Sequence, residues 1–215
     1  MSLHFVSAAA VGLGVVVALA LARPSVNLRG DRFKPLAYEE MTPQQKTMID
    51  HLLAGERKGS TEGPFNVFLR SPEMGDVAQQ LGAQIRFHTS LPRKLNELAI
   101  IVTARYWGAQ FEWTAHRKNA AQAGLGAAII DAIANGKHPT GMQPDEEAVY
   151  NFCHELLNTK QVSDATFKTT VGLIGERGAV DLIGAMGYYS LVSMALNVDR
   201  YPLADGAKPE LKPLP

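Results

Sequence analysis

Residues 91–125 read LPRKLNELAIIVTARYWGAQFEWTAHRKNAAQAGL, and this stretch decides the fold. Pro92 stands where a first helical turn begins, a position where its missing N–H costs nothing. Leu95, Leu98, Ile101, Val102 and Arg105 follow at helical spacing. Gly108 interrupts the run. A second run opens near Gln110 and carries Phe111, Trp113, Ala120 and Ala123. It ends at Gly124-Leu125, a left-handed cap followed by an apolar contact residue. The spacing predicts two packed helices joined by a short turn.

Three ionisable residues stand out in this apolar hairpin: Glu97, Glu112 and His116. Glu112 and His116 are four apart and share a helical face. Glu97 lies near the start of the preceding helix, so an antiparallel hairpin folds it back towards them. A carboxylate beside an imidazole is a proton-transfer pair. The plainer alternative is a solvated i,i+4 pair on an exposed face.

The same residues carry a resemblance. Leu91-Pro92-Arg93, Asn96-Glu97-Leu98-Ala99-Ile100, Phe111-Glu112-Trp113-Thr114-Ala115-His116, Ala120 and Ala123-Gly124-Leu125 are similar to the carboxymuconolactone decarboxylase family, which includes the alkylhydroperoxidase D-like proteins. A weaker likeness runs from about Gly63 to Asn197. The resemblance implies an all-α, alkylhydroperoxidase D-like fold assembled as trimers or hexamers. It also implies an active-site segment around Gly63–Leu69. The peroxidase branch has a CxxC pair just before the matching histidine, and here those positions are Ala109 and Glu112. The chain's one cysteine is Cys153, and a thiol–disulfide cycle needs two thiols. What remains resembles the acid–base branch, typified by decarboxylation of a muconolactone.

The chain has 215 residues, no formal net charge and 46% apolar residues, enough for one domain with a sizeable core. Balanced charge without a basic cluster argues against a nucleic-acid partner. Residues 1–22 hold no Asp, Glu, Lys or Arg and end in Ala20-Leu21-Ala22. This suits a cleaved signal peptide, or an uncleaved membrane anchor. The expectation is an exported protein (periplasmic, secreted or anchored), touching a membrane only through that segment. If the segment is instead a buried helix, the protein is cytoplasmic.

Residues 23–40 read as an extended arm, residues 41–200 as the helical domain and residues 201–215, rich in proline, as an extended tail. Thr42-Pro43-Gln44-Gln45 predicts a helix start with a capping box. Ser71-Pro72 predicts another, with Met74, Val77, Ala78, Leu81, Ile85 and Arg86 setting its spacing. A short helix follows over Gly126–Asn135. Pro144 opens the next, with Cys153 on its buried stripe. Ser163 caps a helix to about Gly175, with Phe167, Val171 and Ile174 inward. The last helix, Gly178–Asn197, is apolar nearly all round, with Val180, Ile183, Met186, Tyr189, Val192 and Leu196, and needs cover from a subunit interface. No alternating strand pattern occurs, and the body is all-α.

For the site, His116, Glu112 and Glu97 are the candidate catalytic set. Phe65, Phe68, His88 and Trp113 are the candidate substrate-binding residues; Tyr188 and Tyr189 read as core residues, with hydroxyl donors to a ligand as the alternative. Arg93 and Arg105 are candidate carboxylate binders or surface groups. No phosphate loop, nucleophile elbow or zinc signature appears, so neither a metal nor a cofactor is expected. His116, Glu112, Glu97 and His88 together would make an undiagnostic ligand set. The expected function is acid–base chemistry on a small carbonyl, lactone or carboxylate compound. A non-catalytic binding or assembly protein on the same fold is the alternative, and a peroxidase is a third reading.

Overall fold

The computed structural model describes residues 26–57, 59–204 and 206–213; the proposed signal or anchor segment, 1–22, lies outside them. Among the described residues there are eight α-helices and no strand: α1 Pro43–Ala54, α2 Phe65–Phe68, α3 Pro72–Phe87, α4 Arg93–Tyr106, α5 Gln110–Gln122, α6 Ala127–Ala134, α7 Pro144–Thr159 and α8 Asp164–Asp199. The fold is all-α, as the sequence reading has it.

The starts and stops follow local chemistry. Thr42 Oγ1 accepts from the Gln45 N–H and the Gln45 side chain accepts from the Thr42 N–H, a closed capping box. The α4–α5 turn runs through Gly108 at φ +61°, a conformation that favours glycine. α5 ends in a Schellman motif. Gly124, at φ +93°, donates to the Ala121 carbonyl, and Leu125 donates to Ala120 while its side chain enters the core. Ser71 holds the N-cap position of α3, but its side chain makes no capping bond. Proline at the first position already fixes that helix start.

α4 is the central rod, buried without interruption from Leu95 to Arg105. Its Leu95, Leu98 and Ile101 join Trp113, Val149, Phe152 and Leu182 in one core cluster. Its Ile100 joins a second, with Met48, Phe65, Ile85, Tyr189 and Val192. The Lys94–Glu146 ion pair, 2.6 Å, ties the first turn of α4 to α7.

Two apolar faces differ from the spacing argument. In α3 the buried residues are Gly75, Ala78, Gln79, Gly82 and Ile85, while Met74, Val77 and Leu81 are exposed. The buried face is set by its glycines. A Cβ at Gly75 would strike Phe68 and Met48, and one at Gly82 would strike Tyr188 and Arg57, so α3 packs by backbone approach. Apolar periodicity cannot register such a face. In α8, Met186, Tyr189, Val192 and Leu196 are buried as expected, but Phe167, Val180 and Ile183 are exposed. The helix breaks at Gly175 (φ 72°, ψ 169°), between the two segments read from the sequence. It is long and apolar enough to cross a membrane, yet 56% of its most apolar window is buried in the fold.

Both flanking segments are docked. Asp199 Oδ1 accepts from the Phe33 N–H at 2.8 Å and the Asp31 N–H at 3.3 Å. At the other end the Gln110 amide donates to the Leu211 carbonyl and accepts from its N–H, and Arg105 donates to the Lys212 carbonyl at 2.8 Å. Leu211 is thereby seated in the core.

Candidate active site

The hairpin brings Glu97, Glu112 and His116 together. Glu97 sits in the second turn of α4, and Glu112 and His116 lie one turn apart on α5. His116 Nδ1 lies 2.6 Å from Glu97 Oε2, and Nε2 lies 3.3 Å from Glu112 Oε2. All three are buried, with residue exposures of 4–6%. Burial by itself pulls the His116 pKa down. Hydrogen bonds to Glu112 and Glu97, with the charges behind them, outweigh it and hold the pKa up at about 9. At neutral pH His116 is therefore an imidazolium, its Nδ1–H donating to Glu97 and its Nε2 side ion-paired with Glu112.

His116 and Glu112 face a cavity of about 210 Å³. Tyr189 sets its ring edge-on to His116, with centroids 4.9 Å apart. Burial first, then the nearby Glu112 charge, drive the Tyr189 pKa well above 10, so its hydroxyl keeps its proton. Arg57, Arg86 and Tyr188 also line the cavity. The Arg57 guanidinium lies over the Phe65 ring at 5.1 Å and donates to the Tyr188 hydroxyl at 3.5 Å. Its Nε is buried without a partner. Neither Arg57 nor Arg86 has an ion-pairing carboxylate among the described residues. Glu62 lines the same cavity, and its charge is felt by Tyr201, whereas both arginines are felt by Tyr188.

Glu97 does not line this cavity. It opens with Arg93 and Asn96 onto a second one of about 450 Å³, and Arg86 and Asn119 border both. His116 stands in the wall between them.

Of the candidate substrate-binding residues, Phe65 lines the His116 cavity and the other three do not. Phe68 packs edge-on behind Phe65, centroids 6.3 Å apart, fully in the core. Trp113 is one residue from Glu112, so about 100° of helical rotation turns it into the opposite core cluster. His88 is exposed at the end of α3 and pairs with Glu56. The four-residue ligand set with His88 is therefore not brought together, and among the described residues no three His, Cys, Asp or Glu are arranged to hold a metal ion. Neither Arg93 nor Arg105 lines the His116 cavity, although Arg93 lines the cavity on the Glu97 side. Cys153 is fully buried in α7 against the other core cluster, its thiol pKa pushed far up by burial.

Arg57, Arg86 and Asn119 were missed by sequence reasoning. Arg57 lies in a polar loop and Arg86 at a helix end, where cations are ordinary. Only the glycine at Gly82, which leaves room for Tyr188 and Arg57, hints at a close approach.

Residues 72–155 match the profile of the carboxymuconolactone decarboxylase family. No curated protein sequence matches the chain significantly. Among solved structures, the chain is similar to a protein of unknown function from Agrobacterium tumefaciens, described as a candidate antioxidant defence protein AhpD. The TM-score is 0.56 and the identity 16%, covering 66% of this chain and 99% of that one. At that identity the likeness speaks to the fold, which is alkylhydroperoxidase D-like. The match to the carboxymuconolactone decarboxylase family rests on residues 72–155, which hold α3, the α4–α5 hairpin and most of α7.

Proposed function

We propose that the protein is a cofactor-independent acid–base enzyme, a lyase or isomerase acting on a small carbonyl, lactone or carboxylate compound. The observation that carries this reading is the His116 imidazolium clamped between two carboxylates at the wall of a cavity. Loss of CO2 beside a carbonyl leaves an enolate, which must be stabilised and then protonated on carbon. In this reading His116 is the acid. Glu97, on the far side of the wall, fixes the Nδ1–H and so orients the ring. Glu112, on the cavity side, exchanges the proton with Nε2 and the substrate. Arg57, Arg86 and the Tyr188 hydroxyl are suited to the developing oxyanion or a substrate carboxylate at the other end. Isomerisation, hydration and dehydration use the same parts.

The burial of Cys153 away from the cavity favours this reading over a thiol peroxidase. The protein is further proposed to be exported by way of residues 1–22. It is also proposed to form a homo-oligomer, a trimer or hexamer, through the exposed apolar residues Met74, Val77 and Leu81 of α3 and Val180 and Ile183 of α8. A monodisperse monomer in light scattering would remove the oligomer.

The function is tested by screening lactones, β-keto acids and enones for turnover, with His116→Ala as the control. Turnover that His116→Ala abolishes supports the enzyme. Saturable binding without turnover, unchanged by His116→Ala, supports the non-catalytic alternative. Peroxide reduction that needs Cys153 would overturn both.

A further inference from the structure

A second slot lies at the opposite end of α4, between α4, the end of α6 and α7. It has a volume of about 90 Å³. Val102, Ile133 and Leu157 form its apolar wall. Tyr150, stacked on His154 with centroids 5.6 Å apart, closes one side. Arg105 lines it from within and Lys137 from the exposed rim. No Asp or Glu lines it.

Arg105 is the anomaly. It is only 6% exposed, yet no carboxylate among the described residues pairs with it. One Nη donates to the Lys212 carbonyl, and the Nε is buried without an acceptor. Burial is the one influence that moves its pKa, downwards. A guanidinium taken out of water without an anion carries an uncompensated desolvation cost. The Tyr150 hydroxyl, kept protonated by burial, makes no hydrogen bond among the described residues. A buried guanidinium without an anion, and a tyrosine hydroxyl free of hydrogen bonds among the described residues, therefore adjoin an apolar slot with a cationic rim.

We propose that this slot is a second ligand site, separate from the His116 cavity, for a short aliphatic carboxylate. The carboxylate group takes Arg105 and the Tyr150 hydroxyl, Lys137 attracts it from the rim, and the aliphatic end lies on Val102, Ile133 and Leu157. Size selects the class. A closed cavity of about 150 Å³ holds benzene; this slot, of about 90 Å³ and open to solvent, need hold only part of a ligand and has no room for an aromatic ring beside the carboxylate.

The test is titration of the full chain with isobutyrate and with its neutral isostere isobutyramide, followed by calorimetry and amide NMR shifts. The expected result is saturable isobutyrate binding that is tenfold or more tighter than that of isobutyramide, as one charge-assisted hydrogen bond provides. Lys137→Glu should weaken it several-fold, and Leu157→Trp, which fills the slot without touching a charge, should abolish it. Arg105→Gln should abolish it too; the other two variants carry the test if that one misfolds. His116→Ala should leave it unchanged. Equal binding of acid and amide overturns the proposal, as does no isobutyrate binding at millimolar concentration. Binding that survives Lys137→Glu and Leu157→Trp but fails in Arg57→Gln assigns the anion to the His116 cavity and also overturns it.

Discussion

The two ends of α4 bury cations in opposite ways. Near its start, Glu97 is one of two carboxylates gripping the His116 imidazolium. Eight residues on, roughly 12 Å along the axis, Arg105 is buried to the same degree with no carboxylate partner among the described residues. The first site satisfies its cation internally and keeps the imidazole charged through a desolvation that by itself would neutralise it. The second leaves a guanidinium that cannot neutralise itself, because its pKa lies far above neutral. One rod thus carries a paired, proton-active centre and an unpaired, proton-inert one. On the proposed function and ligand site, the difference separates a group that moves a proton from one that meets an anion.

The largest effect that would sharpen this contrast lies at the paired end. His116→Ala and Glu112→Gln should each lower turnover on the order of 10²-fold or more. Cys153→Ala should leave turnover near wild type, because that thiol lies in another core cluster. Full activity in both site variants beside loss in the cysteine variant would show that the carboxylate grip is structural only.

Next in size is removal of the grip from the far side. Glu97→Ala leaves a buried imidazolium with one carboxylate instead of two, and breaking a buried pair costs about 3–5 kcal/mol. Denaturant midpoints would read this. Glu97→Gln keeps the shape and an acceptor for Nδ1 but removes the charge. The His116 pKa should then fall by about one unit, so the high-pH limb of turnover should move down while the variant stays folded. An unmoved limb would mean that Glu97 is not what holds the imidazole charged.

A pH dependence of wild-type stability follows from the same pairing. The folded pKa of His116, about 9, lies above its ordinary value of 6.5. The folded state therefore binds that proton more tightly than the unfolded chain. Its contribution is complete below about pH 6.5 and is lost as pH rises through about 9. Thermal scans should show the melting temperature of wild type falling across that window relative to His116→Gln. Parallel curves for the two would remove His116 as the source.

How much of this was legible in the sequence depends on what the physics writes into residue types. The hairpin was legible because its signals are local: Pro92, the break at Gly108, the cap at Gly124 and the four-residue step from Glu112 to His116. The approach of Glu97 to His116 followed from the hairpin alone. The α3 face was illegible because Gly75 and Gly82 bury it by close approach, and glycine has no weight in apolar periodicity. The exposure of Val180 and Ile183 was equally hidden, since an apolar position reads the same whether it meets the chain's own core or another surface. Arg57 and Arg86 were missed because a cation's partner lies across the fold, not along the chain.

The smallest expected effect lies at the unpaired end, and its smallness is the point. Arg105→Met replaces a buried, unpartnered cation with an apolar side chain of similar length. The substitution removes the desolvation cost and loses one charge-assisted hydrogen bond to the Lys212 carbonyl, worth about 1.5–3 kcal/mol. Replacing a poorly compensated buried charge by a well-packed apolar group is often neutral or stabilising. The two contributions oppose each other, so the stability of dialysed protein should change by less than about 1 kcal/mol. Wild type alone should then gain stability when isobutyrate is added, because a ligand that binds only the folded state stabilises it by mass action. A loss of several kcal/mol in ligand-free Arg105→Met would instead reveal an internal anion already paired with Arg105, and the contrast between the two ends of α4 would collapse.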